Sequence, residues 1–275
     1  MGEMRLRDLP CRVPLHAPSL LAFFAARAVA GVEAVEGTAY RRSVRLAHGP
    51  AVVMLELSGR RPGWRLERGD PRDRGDASLL CAALLDADAD PGAVDATLGG
   101  DPLLRELVAA APGRRVPGCV DPAEIAVRAV LGQQVSVAAA RTQAARLTER
   151  CGEPLPEPAF GVTHLFPAPA ALARLDPETL PMPRARGRAL VTMAAALAGG
   201  LDPRDRAAFL ALPGIGPWTA DYVAMRCGDR DVLLESDLGV RRGFARLADP
   251  ATLTARAERW RPWRSYAVQH LWSLA

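Results

Sequence analysis

Alternating apolar and polar positions mark the first third of the chain as a region with strands. Tyr40–Leu46, Ala51–Leu57 and Trp64–Glu67 carry alternating or β-branched runs, separated by Gly-Pro and Arg-Pro-Gly turns. Before them, Ser19–Val35 is rich in Ala, Leu and Phe and predicts a helix. We therefore expect residues 1–115 to form a small antiparallel sheet with helices.

The rest of the chain shows a helical pattern. Strand signals fade after about Asp76, and Ala-Leu-rich segments such as Ser78–Asp86 and Pro102–Ala111 follow almost to the C-terminus. Residues 152–170 hold five prolines and predict an irregular connection between two groups of helices. These patterns predict an α+β chain whose second part is all-helical.

Two helix starts stand out in the middle of the chain. Asp121 is a good N-cap, the proline after it suits the first helical position, and Glu124 completes a capping box. This helix is expected to end at about Leu131. Ser136 is the candidate cap of a second helix, Ser136–Arg150.

The composition is that of a globular protein with a mild basic excess. Apolar residues make up 49% and charged residues 24%, and the formal net charge of +4 permits a polyanionic partner without requiring one. All 35 basic residues are Arg, and the chain contains no Lys. A mechanism that needs a side-chain amine for a Schiff base is therefore excluded.

Cysteine usage and hydropathy bear on cofactors and location. The five cysteines are far apart, and no spacing suits zinc or an iron–sulfur cluster, so neither cofactor is expected. No stretch reaches about 18 uncharged apolar residues, the length of a membrane span. The apolar run at Leu20–Ala26 ends at Arg27, which also argues against a secretion signal. We expect a cytoplasmic protein without a membrane partner.

The most informative segment is Ala207–Arg226, with the sequence AAFLALPGIGPWTADYVAMR. An apolar helix ends at Pro213, a Gly-Ile-Gly turn follows, and Pro217 begins a new helix. Glycines let the backbone approach a partner closely, and the amides at the start of the second helix favour a phosphate. The same pattern also fits an ordinary αα-hairpin with Ile215 in the core.

Asp237 follows this hairpin, twenty-one positions after Gly216. With this turn and this spacing, the chain resembles the helix–hairpin–helix DNA glycosylase superfamily and, within it, the bacterial 3-methyladenine DNA glycosylase II (AlkA-like) family. Similar segments extend from residue 23 to residue 272: FFAARAVAGVEAVE, VPGCVDPAEIAVRAVLGQQVSVAAAR, LPGIGPWTADYVAMR and WRPWRSYAVQHLW.

The resemblance also implies the domain organisation. It comprises an N-terminal α+β domain and two all-α domains that flank a cleft. Their bounds are 1–115 for the first, 116–230 for the helical domain with the hairpin, and 231–275 for the C-terminal helices, which complete the cleft with part of 77–115.

Asp237 is the catalytic residue that the resemblance implies. A carboxylate beside the anomeric carbon stabilises the positive charge that develops as an N-glycosidic bond breaks, and it helps to position water. Asp237 also suits a helix N-cap, and the two roles are compatible. Trp218, Tyr222 and Trp272 match pocket positions, where aromatic rings favour a positively charged alkylated purine. Core packing is the alternative for Trp218 and Tyr222.

Five residues are implied in DNA binding. Gln133 and Gln134 match the junction at which the family inserts a side chain into the DNA stack. Gln134 stands where leucine is usual, and a Gln still fills the gap left by a flipped nucleotide. As a bare pattern, both are solvated residues at a turn. The backbone amides of Gly214, Gly216 and Thr219 are expected to donate to a phosphate.

Two further sets of atoms are candidates for contacts around the hairpin. The resemblance implies a monovalent cation held by the carbonyls of Leu210, Leu212 and Ile215. Arg241-Arg242 and Arg259–Arg264 are candidates for phosphate contacts, with solvated surface as the alternative.

Lyase-type members of the superfamily carry a lysine two positions after the last hairpin glycine, and this chain has Trp218 there. Because the chain lacks Lys, we expect no lyase step, and water should be the nucleophile. The four-cysteine cluster of some relatives is also excluded downstream, since no Cys follows Cys227.

Together these features predict a monomeric, monofunctional DNA glycosylase of base excision repair that requires no cofactor. It would flip 3-methyladenine- or 7-methylguanine-type bases out of double-stranded DNA and hydrolyse their N-glycosidic bonds. One alternative is a non-catalytic helix–hairpin–helix protein that binds DNA or its lesions. Another is a helical interaction protein without DNA. Asp237 favours the enzyme, because a binding protein does not need a carboxylate at that position.

Overall fold

Seven strands and thirteen helices are present in residues 6–275, which the computed structural model describes; residues 1–5 of the predicted N-terminal domain lie outside this range. The strands are β1 (Arg7–Asp8), β2 (Glu33–Glu36), β3 (Ala39–Leu46), β4 (Gly49–Glu56), β5 (Gly63–Arg68), β6 (Glu153–Ala159) and β7 (Val162–Leu165). The first five form one antiparallel sheet in the order β1-β5-β4-β3-β2, and β6 and β7 form a hairpin.

The helices occupy most of the remaining chain. Their bounds are α1 (Ala17–Arg27), α2 (Arg74–Leu84), α3 (Pro91–Gly99), α4 (Arg105–Ala110), α5 (Pro122–Leu131), α6 (Val137–Cys151), α7 (Pro169–Leu172), α8 (Arg184–Ala198), α9 (Arg206–Leu210), α10 (Pro217–Arg226), α11 (Leu238–Ala245), α12 (Leu253–Ala257) and α13 (Arg264–Trp272). Within residues 6–275, no helix combines the length and the hydropathy that a membrane crossing requires.

The three strands predicted from alternation are confirmed as β3, β4 and β5. Tyr40 pairs with Leu55, and Leu55 pairs with Trp64, so one face of the sheet carries a row of buried side chains. The ring of Phe24 from α1 stacks on Tyr40 with ring centres 4.3 Å apart. The sheet is therefore covered by the helix that precedes it.

The helix predicted over Ser19–Val35 is wrong in its second half. It ends at Arg27, and β2 follows and pairs antiparallel with β3. Gly31, with φ of +82°, turns the chain between the two elements. The buried carboxylate of Glu33 accepts a hydrogen bond from the Tyr40 hydroxyl at 2.7 Å, which holds the new strand on the sheet.

The proline-rich segment forms a hairpin rather than an irregular connection, so the prediction of an all-helical second part is wrong here. Three of its prolines lie on β6, which tolerates them because its pairing with β7 is irregular between Pro154 and Ala159. The amides of Thr163 and His164 donate to the carbonyl of Gly31 at 2.7 and 2.9 Å. The hairpin therefore docks on the first sheet, and the α+β class is confirmed.

Asp121 and Ser136 cap α5 and α6 as predicted, accepting backbone amides at 2.8 and 3.2 Å. The predicted capping box is wrong, because Glu124 does not turn back to its own helix start. Its buried carboxylate accepts hydrogen bonds from Arg42 at 2.6 Å and Arg128 at 2.9 Å. This ion-pair network ties α5 to the sheet.

Three large apolar clusters form the interior of residues 6–275, and a small fourth cluster lies between β4 and the β6–β7 hairpin. The buried members of the first come from residues 9–87, those of the second from 29–223, and those of the third from 89–271. Tyr222 packs against the second and third clusters, and Trp272 packs against the first and third. These two aromatic side chains therefore lie where the three clusters meet.

Candidate active site

Helices α9 and α10 flank the turn predicted from Ala207–Arg226. Gly214 has φ of +80°, and a Cβ there would lie 2.5 Å from the Cβ of Ala189, so only glycine fits. Gly216 is the N-cap of α10, and Pro217 is its first residue. Ile215 is buried in the core, as the αα-hairpin alternative expected, and the exposed turn is present as well.

Backbone amides at this turn differ in availability. In the described part of the chain, the N–H groups of Gly214, Gly216 and Trp218 donate no hydrogen bond. Thr219 is different, because its amide donates to the carbonyl of Gly216 at 3.0 Å and its hydroxyl accepts from Gln133 Nε2 at 3.0 Å. The Thr219 amide is therefore engaged within the turn, and its contact with a phosphate stays a prediction, whereas the amide of Trp218 beside it is available.

Asp237 is the N-cap of α11, and its carboxylate makes three hydrogen bonds. Oδ1 accepts the Val240 amide at 2.9 Å and the indole Nε1–H of Trp272 at 2.8 Å. Oδ2 accepts the indole Nε1–H of Trp218 at 2.9 Å. Two tryptophans from different helices thus hold the carboxylate in one orientation.

Two glycines on α11 let α13 pack close enough for this contact. A Cβ on Gly243 would lie 2.1 Å from the carbonyl oxygen of Leu271. A Cβ on Gly239 would lie 3.0 Å from Trp272 Cδ1 and 3.1 Å from Asp237 Oδ1. Sequence reasoning missed both positions, although their spacing of four places them on one face of the helix.

The three predicted pocket aromatics line one cleft of about 1210 Å³, together with Asp237. Trp218 and Tyr222 stack with ring centres 5.4 Å apart and planes 16° apart. Tyr222 and Trp272 are 6.5 Å apart and tilted by 48°. All three are half-buried and face the cleft, and Tyr222 and Trp272 also pack against the core.

Arg27 is a residue of the cleft that sequence reasoning missed. Its guanidinium carbon lies 3.9 Å from the ring centre of Phe23 and 5.7 Å from that of Trp272. Burial lowers the pKa of Arg27. Phe23 and Arg27 are four residues apart on α1, inside the FFAARAVAGVEAVE segment, and that spacing is the signal that could have found them.

Arg226 was also missed, and it holds the Tyr222 ring from behind. It donates to the Tyr222 hydroxyl at 2.9 Å and to the carbonyls of Pro117 and Gly118 at 2.6 and 2.8 Å. Burial acts to raise the pKa of the Tyr222 phenol, but the positive charges of Arg226 and Arg27 outweigh it and lower that pKa overall. The ring is thus fixed by a buried cation.

The two glutamines have different surroundings. Gln133 donates through Nε2 to the carbonyl of Gly214 and to the hydroxyl of Thr219, each at 3.0 Å, so it ties the α5–α6 turn to the hairpin. Gln134 is exposed at the cleft and has φ of +55°. Of the two glutamines, Gln134 is the one whose side chain is available to insert into a bound molecule.

The arginine-rich spots also differ. Arg242 and Arg141 are exposed and line the cleft. Arg264 instead pairs with Asp231 at 2.7 Å, and Arg261 pairs with Glu258 at 2.8 Å. Two arginines of the Arg259–Arg264 spot are therefore engaged by carboxylates of the same chain, whereas Arg259 is exposed.

The carbonyls named for a monovalent cation lie at the end of α9 and in the turn. Among the described residues, the carbonyl oxygens of Leu210 and Ile215 accept no hydrogen bond. That of Leu212 accepts one, from the Ile215 amide at 3.2 Å, and keeps its second lone pair. Three neutral oxygens with free lone pairs fit a hard cation of low charge.

The architecture is that of the helix–hairpin–helix DNA glycosylases. A 3-methyladenine DNA glycosylase from Archaeoglobus fulgidus superimposes with a TM-score of 0.81 at 22% identity, covering 98% of this chain and 97% of that one. An 8-oxoguanine glycosylase/lyase from Clostridium acetobutylicum, solved in complex with double-stranded DNA, gives 0.66 at 15% identity, covering 88% and 97%. At these identities the likeness shows a shared fold.

Sequence relatives define the family more closely. Residues 6–121 match the AlkA N-terminal domain. DNA-3-methyladenine glycosylase 2 of Escherichia coli is 38% identical over 92% of this chain and 92% of its own length. The chain therefore belongs to the DNA-3-methyladenine glycosylase 2 (AlkA) family. The probable bifunctional transcriptional activator/DNA repair enzyme AlkA of Mycobacterium tuberculosis H37Rv is 46% identical over 99% of this chain, which spans 57% of that protein.

Proposed function

We propose that this chain is a monofunctional DNA glycosylase that excises alkylated bases from duplex DNA and leaves an abasic site. The observation that carries the proposal is the carboxylate of Asp237, held in the wall of a large cleft by the indoles of Trp218 and Trp272 at 2.9 and 2.8 Å. The name of the Escherichia coli relative supports 3-methyladenine as a substrate. We further propose that the protein acts as a monomer in the cytoplasm.

Asp237 supplies the chemistry in this proposal. As the bond between C1′ and the base breaks, its electron pair leaves with the base and the sugar becomes positively charged. A carboxylate beside C1′ stabilises that charge and orients the water whose oxygen then bonds to C1′. The three hydrogen bonds fix the carboxylate before DNA arrives, so little reorganisation is needed during the reaction.

The aromatic wall selects the base. A flipped alkylated purine that carries a positive charge is attracted to the π faces of Trp218, Tyr222 and Trp272. Each good stacking contact contributes about 1–3 kcal/mol. Such recognition needs no hydrogen bond to a particular base edge, so it accepts several alkylated bases.

The hairpin anchors the DNA strand. The free amides of Gly214, Gly216 and Trp218 stand at the N-terminus of α10, where the helix dipole favours a phosphate. A monovalent cation on the carbonyls of Leu210 and its partners in the turn would supply further positive charge to that phosphate. Because these contacts reach the backbone only, they hold any DNA sequence.

Gln134 would occupy the space that the flipped nucleotide leaves. Its exposed side chain stands at the cleft that receives the base, and its amide offers both donors and an acceptor to the orphaned partner base. Flipping costs a few kcal/mol, and less for a weakly paired damaged base. An inserted side chain offsets part of that cost.

Strand cleavage is not part of the proposed reaction. A β-lyase step needs an amine that forms a Schiff base with the sugar, and the chain contains no Lys. Trp218 stands at the position of the lysine in lyase-type members of the superfamily, and its indole N–H donates a hydrogen bond to Asp237. The product should be an abasic site in an intact strand.

Product analysis tests the proposal. Duplex DNA treated with a methylating agent is incubated with the protein, released bases are separated by chromatography, and the strands are run on a denaturing gel before and after hot alkali. Free 3-methyladenine is expected, with strand breaks only after alkali. Duplex binding without base release would make the chain a non-catalytic binding protein, and breaks before alkali would contradict the monofunctional assignment.

A further inference from the structure

Cys119 and Cys227 form a pair of neighbouring thiols outside the proposed active site. Cys119 lies between α4 and α5, and Cys227 directly follows α10, 108 positions later in the chain. Their sulfur atoms are 3.7 Å apart, at hydrogen-bond distance, and both are reduced. Among residues 6–275, no other two cysteines make such a contact.

The backbone around the pair is fixed by Arg226. Its Nε and Nη2 atoms donate to the carbonyls of Pro117 and Gly118 at 2.6 and 2.8 Å, which ties the end of α10 to the segment that carries Cys119. A Cβ on Gly118 would lie 2.0 Å from the carbonyl oxygen of Ala83, so this segment is also closely packed from the other side. The two sulfurs are therefore neighbours because of the fold.

The thiols are also open to small molecules. Both line a second cavity, of about 520 Å³, and both are half-buried. The cavity contains Arg226, whose positive charge favours a thiolate at both cysteines, and Arg204, whose charge does so at Cys227. The hydrogen bond from Cys227 and the charge of Arg226 lower the pKa of Cys119 despite its burial, which makes Cys119 the better nucleophile of the two.

We propose that Cys119 and Cys227 are a redox-sensitive dithiol that a hydroperoxide converts into a disulfide. The Cys119 thiolate attacks one peroxide oxygen and breaks the O–O bond, giving a sulfenic acid and, after proton uptake, water or an alcohol. The Cys227 sulfur then attacks the sulfenic sulfur, and hydroxide leaves as water with the Cys227 proton. Two thiols lose two electrons and two protons, and the peroxide is reduced by the same two electrons.

The bridge should stabilise the folded protein and leave the contacts of Arg226 in place. Closing it requires the sulfurs to move from 3.7 Å to about 2 Å, a small shift for side chains on segments that are already tied together. A cross-link over 108 positions restricts the unfolded chain, so the oxidised protein should melt at a higher temperature. The guanidinium that holds Tyr222 stays in place, because its bonds to Pro117 and Gly118 span the same two segments.

Peptide mapping of the full chain tests the proposal. The protein is treated with a small excess of hydrogen peroxide, remaining thiols are alkylated in denaturant, and trypsin digestion follows. A disulfide joining the peptides Val116–Arg128 and Cys227–Arg230 is expected, while Cys11, Cys81 and Cys151 remain alkylated. A bridge between other cysteines, a bridge between two chains, or oxidation of Cys119 to a sulfinic acid without a bridge would overturn the proposal.

Two variants separate the proposed chemistry from general oxidation. Cys227→Ser should stop at a sulfenic acid on Cys119 that dimedone traps, whereas the matched control Cys151→Ser should form the bridge as the parent does. In the parent and the control, peroxide should raise the melting temperature by several degrees, and dithiothreitol should reverse the rise. No dimedone adduct on Cys119 in C227S, or a rise of the same size in C227S, would contradict the mechanism.

Discussion

Replacing Asp237 by Asn removes one negative charge from the cleft wall and keeps a side chain of the same size. In the parent, the Val240 amide and the Trp272 indole both donate to Oδ1 of Asp237. The amide oxygen of Asn can still accept these two hydrogen bonds. In the parent, the Trp218 indole N–H donates to Oδ2 at 2.9 Å. In the variant, the NH2 group of Asn would take the place of Oδ2, so two hydrogen-bond donors would face each other. The substitution therefore removes the charge and one hydrogen bond, and leaves the helix cap.

These losses affect catalysis and folding by different amounts. Two unit charges about 4 Å apart interact by about 4 kcal/mol at an effective dielectric constant near 20. Loss of that stabilisation in the transition state would slow base release about a thousandfold. Asn caps helices about as well as Asp. A lost hydrogen bond to a charged group costs about 1.5–3 kcal/mol of folding stability, so the melting temperature should fall by only several degrees.

The effect on catalysis is measured by single-turnover release of 3-methyladenine, with enzyme in excess over DNA. The effect on folding stability is measured by thermal unfolding. Asp90→Asn is the matched control, because Asp90 caps α3 by accepting the Ala93 amide at 3.1 Å and does not line the cleft. It should release base at the parent rate. If D237N does so too while folded, the carboxylate charge plays no part in the chemistry and the proposed mechanism fails.

Three other substitutions test separate features. Gly239→Ala should slow base release by about ten- to a hundredfold with little loss of duplex binding, because its Cβ would push Trp272 and Asp237 apart; parent rates would contradict this. Gln134→Ala should slow release from duplex DNA about tenfold and Gln134→Leu should restore it, whereas release from single strands should stay unchanged in both. His270 is buried, its two ring nitrogens have no hydrogen-bond partner among residues 6–275, and burial lowers its pKa from 6.5 to about 3. The unfolded chain therefore binds a proton that the folded chain does not, and folding stability should fall by about 2 kcal/mol from pH 6.5 to pH 4.5. Urea unfolding should show this loss in the parent and a smaller one in His270→Leu.

Local patterns predicted most of the fold, and they failed where a distant contact decides the structure. Alternation located β3, β4 and β5 because their inward side chains meet one core. Glu33 looked helical with its neighbours, yet its carboxylate accepts hydrogen bonds from the Tyr40 hydroxyl and the Val29 amide and pairs with two arginines, which places it on a strand. Glu124 had the spacing of a capping box, but the same cations draw it away from its helix. Neither outcome is visible in a short window of sequence.

The candidate site was predictable where a motif carries it. Asp237 and the aromatic positions follow from the hairpin and its spacing, and the structure brings them into one cleft. The roles of these residues stay predictions. Arg226 was not predictable, because it acts through carbonyls about 109 positions away. Gly243 shares a helix face with Gly239, but that spacing alone does not show that the backbone of another helix packs there. Single residues without a local pattern leave no such signal.

The hydrogen bonds to Asp237 have two opposing consequences for catalysis. The carboxylate accepts hydrogen bonds from two indole N–H groups and one α11 amide, and these donors partly neutralise its negative charge. Its attraction for a cationic sugar is therefore weaker. The same three donors hold that charge in one orientation, so no free energy is lost in turning it toward C1′ during the reaction. A mobile, fully solvated carboxylate would have to shed water and order itself in the transition state. In the proposed mechanism fixed orientation therefore favours catalysis, and it explains why the tryptophans that line the cleft also bind the proposed catalytic carboxylate.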